Sequence, residues 1–228
     1  IYEKSQNVMN LLNNYKLENT TKFGCIQKFN YLGKSYSCHY LNMADRIDKL
    51  SSSFNFKNIK SFFEIGGGFG ANIHFLITNF PNIKKILYLD TVPNIYVGTE
   101  YLRDIYKEKV KDYVELKKFD KICFNQNDDL EILCIPPWLV EKVDVKIDHF
   151  HNAASFVEMP KNVIKNYLKF IRKFDTKEIS LISYENFDNK TTFNPEELNI
   201  FFDNKLHVSW KNSLIEDFGK RLIYLVSQ

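Results

Sequence analysis

Between positions 61 and 80 the chain passes from a short apolar run, through a glycine-dense turn, into helical spacing, a succession that few folds accept. The run is Ser61-Phe62-Phe63-Glu64-Ile65, the turn Gly66-Gly67-Gly68-Phe69-Gly70, and Ile73, Leu76 and Phe80 then recur at the helical interval. Glycines in such a turn adopt positive φ and let a ligand approach where a Cβ would collide. A second apolar run, Ile86-Leu87-Tyr88-Leu89, ends in Asp90. An acid at the tip of a second parallel strand is placed to accept hydrogen bonds from ribose hydroxyls. The stretch therefore predicts an adenosine-type cofactor at the carboxyl ends of parallel strands.

The glycine turn admits two cofactor readings. Gly66-x-Gly68-x-x-Ala71 satisfies the dinucleotide fingerprint, in which a pyrophosphate rests on a helix N-terminus. Glu64-x-Gly66-x-Gly68-x-Gly70 equally has the acid-x-Gly-x-Gly-x-Gly form of S-adenosylmethionine (SAM) methyltransferases. Glu64 favours the second, because a carboxylate within the turn repels a pyrophosphate and suits the cationic amino group and sulfonium of SAM.

From position 61 the pattern alternates strand and helix, the mark of a doubly wound α/β sheet. Seven strands are expected, at 61–65, 86–89, 130–135, 147–152, 178–184, 206–210 and 222–226, mostly parallel, with the last two antiparallel as a class I methyltransferase sheet ends. A dinucleotide dehydrogenase needs a second half for which the chain leaves no room. Helices are expected over 95–106, after Pro160 with a buried stripe of Val163, Ile164, Tyr167, Leu168 and Ile171, and from Asn194. A short helical link is expected over 138–143. Residues 1–57 read as an N-terminal helical cap: one helix around Met9, Leu12 and Tyr15, another carrying Leu41, Ala44, Ile47 and Leu50, with 23–40 between them as a loop over the cofactor cleft. Residues 58–228 form the Rossmann-like cofactor domain.

Composition narrows the class. The 228 residues are 44% hydrophobic and 15% aromatic, enough for a packed globule. A net charge of +3 gives no basic stripe for nucleic acid, and no apolar run reaches the ~20 residues that span a bilayer. Cys25, Cys38, Cys123 and Cys134 lack CxxC spacing and read as reduced core thiols in a cytoplasmic protein. Oligomeric state is left open.

Three ordered segments carry a family resemblance: Phe63-Glu64-Ile65-Gly66-Gly67-Gly68-Phe69-Gly70, Leu89-Asp90-Thr91-Val92-Pro93-Asn94 and Asn152-Ala153-Ala154-Ser155-Phe156-Val157-Glu158-Met159. Together they resemble the bacterial sugar O-methyltransferases, with their E-I-G-G-G-[YF]-G turn, D-L-P-E-like segment and N-x-x-S-F-x-E-M segment. Thr91 and Asn94 depart from the second pattern, whereas Asp90 is retained. The resemblance implies SAM as cofactor, S-adenosylhomocysteine as product, and a hydroxyl of a sugar or surface-polysaccharide precursor as acceptor.

Site residues follow from both sources. Glu64, Gly66, Gly68 and Gly70 are expected to hold the methionine half of the cofactor and Asp90 its ribose. Ile135 and Trp138, after the third strand, stand where an adenine stacks, although Trp138 suits a core or interface aromatic equally. Asn152, at the end of the fourth strand, is expected beside the transferred methyl. Methyl transfer to a hydroxyl needs a base that removes the acceptor proton. The resemblance favours Glu158; intrinsic acidity favours His151. A metal held by His149-x-His151 lacks a third ligand and no metal is expected. Ser155, Tyr36, Tyr40 and Arg46 are candidates for the acceptor pocket.

Overall fold

The computed structural model describes residues 6–17, 27–184, 195–211 and 222–227. Its centre is an eight-stranded sheet, built from β3 (Ser61–Ile65), β4 (Lys85–Leu89), β5 (Val110–Lys111), β6 (Glu131–Ile135), β7 (His149–Ala153), β8 (Glu178–Tyr184), β9 (Leu206–Lys211) and β10 (Leu222–Ser227). The strand order is β5-β6-β4-β3-β7-β8-β10-β9. All pairs from β5 to β8 are parallel, and β10 runs antiparallel between β8 and β9. One strand more than expected is present because Val110–Lys111 is too short to leave a period in the sequence.

Strands buried on both faces explain why the sheet is parallel: β3, β6 and most of β4 show no polar-out alternation. Successive side chains instead feed two cores. Phe62, Ile86, Tyr88, Ile132 and Cys134 face α1 (Gln6–Asn14), α2 (Cys38–Leu50), α3 (Ala71–Asn79) and α4 (Asn94–Tyr106). Phe63, Leu87, Leu133, Phe150 and Leu181 face α6 (Lys161–Lys173) and α7 (Pro195–Phe201). Register between β3 and β7 is pinned at the far end: the Asp148 carboxylate accepts the Lys60 and Ser61 amides at 3.0 Å each, and the Asp148 amide donates to Ser61 Oγ at 2.7 Å.

The N-terminal segment shares its core with the first face, through Val8, Leu11, Ile47 and Leu50. Its expected loop is corrected. Within 27–40, β1 (Lys28–Tyr31) and β2 (Lys34–Ser37) form a hairpin about Leu32 and Gly33, both at positive φ as a tight two-residue turn requires. Tyr40 already belongs to α2, whose first turn is capped by Ser37 Oγ accepting the Tyr40 amide. Residues 18–26, and with them Cys25, lie outside the described residues, as does Asn194. A four-residue helix, α5 (Tyr113–Leu116), follows β5, and the expected link after β6 is a 3-10 helix over Pro137–Lys142. Of the cysteines, Cys134 is buried, Cys38 is half-buried and Cys123 is exposed, so the reading of all as core thiols is corrected for Cys123. Among the described residues no helix is long and apolar enough to cross a membrane.

Candidate active site

The chain winds outward from β3 in both directions, so the loops after β3 and β7 part and leave a crevice at their carboxyl ends. On the β3 side stands the glycine turn, with Gly66, Gly68 and Gly70 at φ of +77°, +59° and +86°. A Cβ on Gly66 would stand 2.1 Å from Ser155 Oγ, so the β7–α6 loop packs directly on this residue. A Cβ on Gly68 would meet nothing within 4 Å, which leaves open space above the turn. The turn is tied to β4 by two side chains: Asp90 Oδ2 accepts the Gly68 amide at 2.8 Å, and the Tyr88 hydroxyl donates to the Gly68 carbonyl.

Both acids are buried. Glu64 Oε1 accepts from Asn72 Nδ2 at 2.8 Å, while Oε2 has no hydrogen-bond partner among the described residues. Burial pushes the Glu64 pKa up to about 7; Asn72 opposes the rise, Asp90 adds to it, and the Arg46 guanidinium on α2 lowers it. Asp90 accepts the Thr91 amide on Oδ1 at 2.7 Å. Burial raises its pKa, against the amides of Thr91 and Gly68 and the side chain of Asn94. With one amide on each oxygen, the Asp90 carboxylate retains lone pairs for a ligand.

The crevice encloses about 360 Å³, within the range of small-molecule sites. Gly66, Asp90, Thr91 and Asn94 line one side; Ser155, Glu158, Met159 and Tyr167 line the other. Glu158 closes a 3-10 turn, Ser155–Glu158, that starts from Ala154 at φ +66°.

Other expected site residues stand elsewhere. His151 is corrected as a base: it is 3% exposed, its Nδ1 lies 2.8 Å from Ser180 Oγ, and burial, with His149 and Arg46 nearby, pushes its pKa down to about 3. Its ring is turned into the core against Ser180 and does not line the crevice, so it is out of reach of an acceptor proton there. Asn152 is buried and acts within the loop, donating from Nδ2 to the Ile65 carbonyl at 2.8 Å and to Ser155 Oγ at 2.5 Å, and accepting the Phe156 amide on Oδ1. Ser155 Oγ also donates to the Ile65 carbonyl, so the pair fastens the β7–α6 loop to the tip of β3.

Tyr40 is corrected to a core residue, because its hydroxyl lies 2.6 Å from His74 Nδ1 and 2.5 Å from Tyr101 Oη. Tyr36 stacks on Phe29 across the hairpin, and Arg46 stands on α2 within electrostatic reach of Glu64. Ile135 is fully buried and Trp138 is exposed with its ring edge-on to Tyr113; neither lines the crevice. Sequence reasoning missed Tyr167 as a crevice residue. Its signal was a phenol in an otherwise aliphatic stripe.

The fold is shared with solved structures. The chain is similar to the mitomycin 7-O-methyltransferase MmcR, with 14% identity over 83% of this chain and 57% of that one and a TM-score of 0.51. The fold is a class I methyltransferase fold. A second neighbour is magnesium protoporphyrin IX methyltransferase (ChlM) from Synechocystis PCC 6803, whose structure contains SAM. It is 10% identical over 83% of this chain and 80% of that one, with a TM-score of 0.51. A third is the methyltransferase domain of bacterial CtHen1, at 13% identity, 82% and 97% coverage and a TM-score of 0.50. The chain spans little more than half the length of MmcR. No family model and no curated protein matches the chain in sequence.

Proposed function

We propose that this chain is a SAM-dependent methyltransferase acting on an oxygen nucleophile, with a sugar or glycan-precursor hydroxyl as acceptor. The observation that carries the cofactor reading is Glu64 Oε2, a buried carboxylate oxygen without a partner beneath a glycine turn that faces open space. Such an atom calls for a cation or a donor, and it disfavours a pyrophosphate. Glu64 would neutralise the cationic amino-acid end of the cofactor, Gly66, Gly68 and Gly70 would let it lie against backbone, and Asp90 would accept from its ribose hydroxyls. Ile135 pairs with Leu89 in register, and in this reading the adenine would extend toward the β6 tip and Trp138. When bound, SAM supplies an electrophilic methyl on a sulfonium.

The chain's own part is to align the acceptor and take its proton. Glu158 is the base in this reading, because it is the carboxylate of the β7–α6 loop that lines the crevice. Asn152 and Ser155 hold that loop in place, and α2, which carries Arg46, caps the glycine side. The choice of a sugar acceptor rests on the three-segment resemblance. The choice of oxygen is supported further by a neighbour named as an O-methyltransferase.

The test is calorimetric titration with S-adenosylhomocysteine, NAD and NADP in parallel, followed by methyl-transfer assays on nucleotide sugars. Binding of S-adenosylhomocysteine alone is expected, and Glu158→Gln should then bind it normally but turn over about 100-fold more slowly. Binding of NAD or NADP alone, or of none of the three, overturns the reading.

A further inference from the structure

Tyr167 is 5% exposed on α6, in a stripe with Ile164, Leu168 and Ile171, yet it lines the crevice together with Asp90 and Glu158. Buried tyrosine hydroxyls ordinarily hold a hydrogen-bond partner. The Tyr167 hydroxyl makes no hydrogen bond among the described residues, yet it is not one of their fully buried unpaired atoms, so it opens onto the crevice, with the Asp90 carboxylate as its electrostatic neighbour. Burial raises the Tyr167 pKa and Asp90 adds to the rise, so the phenol stays protonated and remains a donor.

The two side chains are complementary. The Asp90 carboxylate only accepts, whereas each hydroxyl of a vicinal diol both donates and accepts. A diol held by Asp90 alone keeps oxygen lone pairs in a part-buried crevice without a donor, at a cost that one phenol removes.

We infer that Tyr167 is a second ligand of the cofactor ribose, its hydroxyl donating to one ribose oxygen while Asp90 accepts from the diol. The inference rests on the SAM reading and adds to it a residue that discriminates ribose from deoxyribose. A phenylalanine here would fill the same space and lose the Tyr167 share of the discrimination, leaving that of Asp90.

The experiment titrates the wild type and Tyr167→Phe with S-adenosylhomocysteine and with its 2′-deoxy and 3′-deoxy analogues. The wild type is expected to bind one deoxy analogue about 5- to 10-fold more weakly than the parent. Tyr167→Phe should weaken the parent by about the same factor and narrow the gap between parent and that analogue to what Asp90 alone supplies. Wild-type affinity for S-adenosylhomocysteine in Tyr167→Phe overturns the inference, as does equal weakening of all three ligands, the sign of a packing defect. A wild type that binds all three equally overturns it without any variant. A wild type that binds none overturns the SAM reading and this inference with it.

Discussion

The side-chain amide of Asn72 donates a 2.8 Å hydrogen bond to Oε1 of Glu64 and leaves Oε2 of that carboxylate unpaired among the described residues. A Cβ on Gly67 would stand 2.8 Å from Oε2, so only a glycine leaves room over it. Burial holds the Glu64 pKa at about 7 against its ordinary 4.5. A carboxyl raised on folding favours the folded state below about 4.5, and that advantage is lost as pH rises through 7. Above pH 7 the buried charge costs on the order of 3 kcal/mol. Glu64→Gln should therefore raise the denaturant midpoint at pH 8 with little gain at pH 4.5, and weaken S-adenosylhomocysteine binding about tenfold or more. Unchanged binding with unchanged stability at pH 8 would remove Glu64 from the site.

The same carboxylate makes cofactor binding proton-linked. Below pH 7 the free protein holds a proton on Glu64 that a cationic ligand displaces, so affinity should rise between pH 6 and pH 8. Calorimetry in buffers of different ionisation enthalpy reads the proton release directly. A flat affinity profile with no buffer dependence contradicts the linkage.

Asp90 carries two backbone amides, from Gly68 and Thr91, as well as its expected ligand. Asp90→Ala should lower S-adenosylhomocysteine affinity about tenfold or more and lower the melting temperature by only a few degrees. Hydrogen exchange at the Gly68 amide should accelerate in step. A variant that melts like the wild type and keeps its affinity would contradict the anchoring role.

Gly66 is at φ +77° with Ser155 Oγ and Cβ at 2.1 and 2.4 Å from where its own Cβ would be. Gly66→Ala should cost about 3 kcal/mol, or roughly 6–12 °C in melting temperature, from strain and collision together. Adding Ser155→Gly should recover the collision and leave the strain. Full recovery in the double variant would show that backbone strain contributes nothing.

Three histidines bear on acid stability. Burial lowers the pKa of His74 to about 4, of His151 to about 3, and that of His149 as well. Groups lowered on folding stabilise fully above the ordinary histidine value of about 6.5, and the benefit is lost as pH falls toward the folded values. Glu64 and Asp90, both raised by burial, work in the opposite direction, two groups against three. The urea midpoint should fall steadily from pH 6.5 to 4.5, and His74→Gln should make that slope shallower. A midpoint constant over this range would contradict the burial of all three as neutral rings.

Much of the sheet was legible because β3, β4 and β6 are buried on both faces and so appear as largely apolar runs that end near Glu64-Ile65, Asp90 and Ile135. The hairpin at Lys28–Ser37 was not, since its eight strand residues include two lysines, two serines and an asparagine, and its apolar alternation is limited to Phe29 and Tyr31. Glu64 and Asp90 were legible as acids at strand ends. Tyr40 and His151 were not, because their burial is decided by partners distant in sequence, His74 and Tyr101 for one and Ser180 for the other. Tyr167 was read correctly as buried in its helix stripe, but a helical period gives no depth along the stripe and so does not say that the ring ends in the crevice.

Strand β10 lies between β8 and β9, so among the described residues β9 has no hydrogen-bonded neighbour in the sheet except β10. The ribosome delivers these segments in the order β8, β9, β10, whereas the sheet can only accept them as β8, β10, β9. During synthesis, Leu206–Lys211 therefore lacks its partner strand until Leu222–Ser227 emerges to pair with both it and β8. In that interval both carry unpaired strand edges, the form most exposed to a chaperone or to a neighbouring nascent chain.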